Sequence, residues 1–131
     1  MATNLETIES ALRKLGVLDI EESASARQGV IGLRLLNQML TRWEANNIPM
    51  GFTTQTNLSA TIPVPDEAQA AVENNLAIEC GPDFGTTPPQ AVIVLADTHL
   101  AALLRDAFIV TPNDLSNMPG ARSRWNINTD S

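Results

Sequence analysis

Aromatic side chains are scarce in this 131-residue chain: tyrosine is absent, and phenylalanine and tryptophan together supply 4% of the residues. A core built from such a sequence has to be aliphatic. Cysteine and histidine occur once each, as Cys80 and His99, which excludes an internal disulfide and any zinc cluster built on several cysteines. Positive charge is also short. Lys14 is the single lysine, and the formal charge of −7 with a pI near 4.5 leaves no broad basic face for phosphates or anionic membranes. No apolar run approaches the roughly 18 residues of a membrane span, and no basic region followed by an apolar stretch opens the chain. These absences predict a soluble, unsecreted protein of one domain, long enough to bury a core.

The apolar residues that are present fall into helical registers. Thr3 and Glu6 form a capping-box pattern, followed by Leu5, Ile8, Leu12 and Leu15, with Gly16 as the stop. A second helix is expected from Ser23 or Ser25 to about Asn46, with Leu33, Leu36, Leu40 and Trp43 on its inner stripe and Val30 and Met39 widening it. Gly29 and Gly32 near its beginning read as points of close helix approach or of a late helix start. From about residue 50 to 64 the chain turns threonine-rich. Leu58, Ala60, Ile62 and Val64 alternate at period two, which predicts a strand, with Phe52, Thr54 and Thr56 on a hairpin partner and the turn near Asn57. A lone hairpin is marginal in water and would need support from the helices or a neighbour. Asp66 is placed to cap a third helix over about Glu67–Glu79, with the stripe Ala68, Val72, Leu76 and Cys80 and a stop at Gly81-Pro82. Thr87-Pro88-Pro89 opens a fourth helix, whose stripe Ile93, Ala96, Leu100, Leu103 and Ala107 is flanked by Leu95, Leu104 and Phe108. The fold class expected is mainly α: a four-helix core over residues 1–110 with a β-hairpin inserted at about 50–64, then an extended arm over 111–131.

Little in this pattern promises chemistry. His99 and Cys80 fall on or beside apolar stripes, where a packing role outweighs a nucleophilic dyad. Gly81-Pro82-Asp83-Phe84-Gly85 contains the letters of a kinase motif without the loops that must accompany it. Among the carboxylates, Glu21-Glu22 or Glu79 with Asp83 are nominal pairs for a glycoside hydrolase, whose two acids sequence alone does not space. A solvated face is the plainer reading of them. No cofactor, metal site or catalytic residue is expected.

The arm is a different kind of sequence. After Val110 the helical periodicity stops, and a segment so poor in apolar residues does not repay the ordering cost of roughly 1–2 kcal/mol per residue by itself. It does carry Arg122, Arg124, Trp125 and Ile127, and arginine and tryptophan are residue types that anchor interfaces. The arm therefore reads as a partner-binding element of an assembly component.

A family resemblance gathers these features. Ala11-Leu12-Arg13-Lys14-Leu15-Gly16-Val17, Leu36-Asn37-Gln38-Met39-Leu40 with Trp43, and Ile48-Pro49-Met50-Gly51-Phe52 occur in that order. They are followed by Asn75-Leu76-Ala77, Pro82-Asp83-Phe84-Gly85 and a tail with Pro119-Gly120 and Asn126-Ile127-Asn128. In this order they resemble the packaged-DNA-stabilisation, or tail accessory, family of tailed bacteriophages, whose members act as head-to-tail adaptors. The resemblance spans nearly the whole chain, through helix faces and turns. It implies a homo-oligomeric ring, usually of twelve subunits, beneath the portal protein. Such a ring closes the packaged head, retains DNA without reading its sequence and presents a platform for tail or nozzle proteins. The implied location is the neck of the virion, with the host cytoplasm during assembly. The arm would reach the portal, with Trp125 and Ile127 as apolar contacts and Arg122 and Arg124 facing portal carboxylates. The free subunit is expected to be largely monomeric, with the portal as template. Two other classes remain open: a small helical regulatory or toxin-neutralising binder, and a carboxylate-dependent cell-wall glycoside hydrolase.

Overall fold

The structure, a computed structural model, describes residues 2–48 and 50–109, with side chains as far as Arg105. Among the described residues are four packed helices, α1 (Asn4–Leu15), α2 (Ala26–Ala45), α3 (Gln69–Phe84) and α4 (Gln90–Ile109), with one 3-10 turn, Asp66–Ala68, leading into α3. Each of the first two starts at a full capping box. The Thr3 hydroxyl accepts from the Glu6 N–H while the Glu6 carboxylate accepts from the Thr3 N–H, and Ser25 with Gln28 repeats the arrangement. Such a box satisfies two of the four orphan donors at a helix start. Ser25, rather than Ser23, therefore begins α2. At the other end of α1, Gly16 takes the left-handed conformation and returns its N–H to the last turn.

α3 is the central element, packing most extensively against α1 on one side and α4 on the other, while α2 crosses α1 and α3. The core is aliphatic. Ile8, Leu12, Leu36, Met39, Leu40, Ile62, Val72 and Leu76 are all fully or nearly fully buried. Gly32 allows this packing, because a Cβ there would collide with Cγ2 of Ile8 across the α1–α2 contact. A polar seam joins α1 to α3. The Gln69 amide donates to the buried Thr7 hydroxyl (2.9 Å) and to Glu73 (2.7 Å), and Ser10 donates to Glu73 (2.8 Å).

Four expectations need correction. The hairpin over 50–64 does not form, and no strand occurs among the described residues; an isolated antiparallel bridge joins Thr3 and Thr61. The backbone of this segment is satisfied by the helices instead. Its carbonyls at Leu58 and Ala60 accept from the Leu5 and Asn4 N–H groups, and the Ile62 N–H donates to the Ala2 carbonyl. A stretch that can pair with the unsatisfied amides of a helix start has no need of a second strand. Ile62 and Val64 still point into the core, as the alternation requires.

The inner face of α2 is rotated relative to the expected stripe. Leu35 is buried, Leu33 is only half-buried, and Val30 stands 65% exposed. The third helix also starts and ends later than expected. Asp66 does not cap it, since no side-chain hydrogen bond is made at its start, and Gly81-Pro82 lies inside its last turns. With no Cβ at Gly81 the clash that keeps a residue before proline out of the helical region is relieved. The end comes at Gly85, in the left-handed region at φ 70°.

Finally, α4 covers less of its apolar surface than its sequence suggests. Val92 and Ala96 are buried and Leu100 and Leu103 half-buried, but Ile93, Val94, Leu95 and Leu104 are exposed. The helix begins at Gln90, and the Pro89 carbonyl accepts its first hydrogen bonds from Val92 and Ile93. Ala107, Phe108 and the arm from 111 to 131 lie outside the residues whose side chains are described.

Candidate docking surfaces

The residues singled out for chemistry are held in structural roles. Cys80 is buried near the end of α3, and burial, with Asp83 and Glu79 adding, pushes its thiol up to about 12. A thiol so far above neutrality is not a thiolate nucleophile at physiological pH. His99 is half-buried on α4, its Nδ1 3.5 Å from the Asn74 amide nitrogen, at the outer limit of a hydrogen bond. Glu79 and Asp83 do not face each other as an acid–base pair. Each reaches across to an arginine of α2, Glu79 to Arg42 and Asp83 to Arg34 at 2.9 Å. Glu21 and Glu22 are exposed, and the Glu22 carboxylate accepts from the Asp19 N–H. Among the described residues no group of three or more His, Cys, Asp or Glu is placed to hold a metal ion, and no helix is long and apolar enough to cross a membrane.

Two unfilled apolar surfaces stand out instead. The first is a groove of about 780 Å³ between α2 and the segment 55–58. Its apolar lining comes from Val30, Leu33 and Leu58, and its polar rim from Arg34, Asn37, Gln38, Gln55, Thr56 and Asn57. One wall of this groove is fixed by a reciprocal contact. The Asn37 amide donates to the Gln55 carbonyl and accepts from the Gln55 N–H, each at 2.8 Å. Asn37 thus supplies to the extended segment what a neighbouring strand would. The buried Asn4 amide holds it from behind, donating to Gln55 Oε1 and the Asn57 carbonyl at 2.9 Å. At the entry to the segment, the Glu44 carboxylate accepts the Met50 and Phe52 N–H groups, which hold its pKa below the ordinary value of 4.5. The groove was hidden in the sequence because Val30 and Leu33 share the helical spacing of core residues.

The second surface is the outer side of α4, where Val94 is 52% exposed and Ile93, Leu95 and Leu104 are each near 40%. The principal neighbour of α4 is α3, so these side chains have no helix of this chain over them among the described residues. Arg122, Arg124, Trp125 and Ile127, the residues expected to bind the portal, lie outside the described residues.

In comparison with known proteins, the chain matches no protein-family model and no curated protein.

Proposed function

We propose that this chain is a structural subunit of a bacteriophage head-to-tail adaptor, assembling as a ring, of twelve copies in the family it resembles, beneath the portal. The observation that carries the assembly part of this reading is α4, an aliphatic helix that leaves Ile93, Val94, Leu95 and Leu104 exposed. Exposed aliphatics grouped on one helix are a mark of protein contacts. An apolar face on α4 that meets a different surface of the next copy generates a ring when the rotation closes. The phage identity rests on the ordered sequence resemblance alone. The acidic balance of −7 suits a subunit beside a DNA passage, where repulsion of phosphates keeps the path free of adhesion.

In this reading the arm from 111 to 131 attaches to the portal through Trp125 and Ile127, with Arg122 and Arg124 on portal carboxylates. Truncation after Thr111 tests it. The shortened protein should still fold and melt cooperatively, because the core residues all precede the cut, yet fail to co-sediment with portal rings. Trp125→Ala in the full chain should weaken attachment about thirtyfold, the equivalent of roughly 2 kcal/mol. Undiminished co-sedimentation of the truncated protein would remove the arm from the attachment role.

A further inference from the structure

We infer that the groove between α2 and residues 55–58 is a docking site for the Trp125–Asp130 segment of the same chain. The groove offers a short apolar floor, Val30, Leu33 and Leu58, under a rim rich in side-chain amides. Val30 and Leu33 are one helical turn apart, about 5 Å along the axis. Trp125-Asn126-Ile127-Asn128 is the stretch beyond α4 in which large apolar residues alternate strictly with amides. In an extended backbone that alternation sends Trp125 and Ile127 to one side, about 7 Å apart, and Asn126 and Asn128 to the other. That separation exceeds the Val30–Leu33 spacing by only about 2 Å. A volume of about 780 Å³ leaves room for more than one side chain in this open groove.

The charges agree. α2 carries Arg27, Arg34 and Arg42 against the single acid Glu44, in a chain whose net charge is −7. Arg34 spends one nitrogen on Asp83 and keeps further donors on the groove rim. Asp130 follows the alternating stretch by two residues and brings a carboxylate to that end. Reach is sufficient: the sixteen residues from Val110 to Trp125 span up to roughly 50 Å extended. A domain of about 100 residues has a radius of gyration near 13 Å. Tethering also favours the attached segment over a free one, since the linker sets a high local concentration.

The docking describes the free subunit, whose groove the segment would leave to reach a portal, and its test involves no portal. The chain has two tryptophans, Trp43 in the core and Trp125. Full-length protein labelled with 5-fluorotryptophan should therefore give two fluorine resonances, assigned with Trp125→Phe. We expect the Trp125 resonance to be displaced from its position in urea. Val30→Asp should return it to that position while the Trp43 resonance, a monitor of the fold, stays in place. Ile127→Asp changes no described residue and should release Trp125 in the same way. A Trp125 resonance already at its urea position, or unmoved by both substitutions, would overturn the docking. A displacement that appears only as protein concentration rises would overturn its intramolecular form.

Discussion

Gly29 and Gly32 are three residues apart on the same helix, yet the physical chemistry around them differs. At Gly32 the atoms in the way belong to Ile8, which is fully buried and stiff at its branched carbon. At Gly29 the nearest atom, 3.0 Å from a built Cβ, is the end of the half-buried Leu58 side chain, which has room to turn. Gly32→Ala should therefore cost about 1–3 kcal/mol by overpacking, despite alanine's better helix propensity. Gly29→Ala should come out close to neutral. Chemical denaturation of both variants checks the contrast. Cys80 gives a second prediction at this scale. Its thiol ionises near the ordinary value of 9.0 when unfolded but only near 12 when folded. The unfolded state thus releases a proton first, and stability falls as pH rises from about 9 toward 12. Thermal melts of Cys80→Ala should lose that part of the alkaline decline. Glu44 has the opposite sign. Its folded pKa is depressed, so its stabilisation of the Met50–Phe52 turn is present above about 4.5 and lost as pH falls through the folded value. Protection factors at Met50 and Phe52, which remove the intrinsic slowing of exchange in acid, should fall on that acid side.

Helix starts marked by a capping box were legible in the sequence, whereas the Asp66 cap and the Gly81-Pro82 stop misled and pairings with distant partners did not show. The Thr3–Glu6 box was read directly and is present, while the start of α2, left open between Ser23 and Ser25, is decided by the Ser25–Gln28 box. The alternation from Leu58 to Val64 identified which residues face inward, since Ile62 and Val64 are buried. It did not reveal what the backbone would pair with, because Asn37 and the start of α1 lie far off in sequence. The groove escaped for the same reason, since Val30 faces out only because Leu35 is turned in. Asn37 shows how much rests on one such partner. Asn37→Leu removes both hydrogen bonds to Gln55, leaving a part-buried N–H and C=O unsatisfied at about 1–3 kcal/mol. Asn37→Asp keeps the acceptor for the Gln55 N–H and should lose less. The order of midpoints in urea, wild type above Asp above Leu, is the outcome to look for.

For the molecule as a whole, burial separates residues that carry the fold from residues left for partners. Leu36 is fully buried, so Leu36→Ala should remove about 2–5 kcal/mol, a large share of the roughly 5–15 kcal/mol available to a domain. Leu100, assigned to the same kind of core stripe by its spacing, is only half-buried on α4 and should cost less on the same change. Leu95→Ser goes further in that direction: the melt should barely move, while a ring built through α4 should lose subunits, as sedimentation velocity would show. The amino-acid pattern could not distinguish these positions. An aliphatic helix that waits for a neighbouring subunit has the same spacing as one that meets its own core.

The attachment of α1 to residues 58–62 also has a consequence in time. The Asn4 and Leu5 amides are satisfied by carbonyls of Ala60 and Leu58, more than fifty residues downstream. Closing so large a loop is slow relative to winding a helical turn. In a refolding experiment with pulsed deuterium labelling, the amides in the last turn of α1 should therefore gain protection before those of Asn4 and Leu5. The first helix of the chain would be completed from its far end backward, its opening turn among the last pieces of backbone to set.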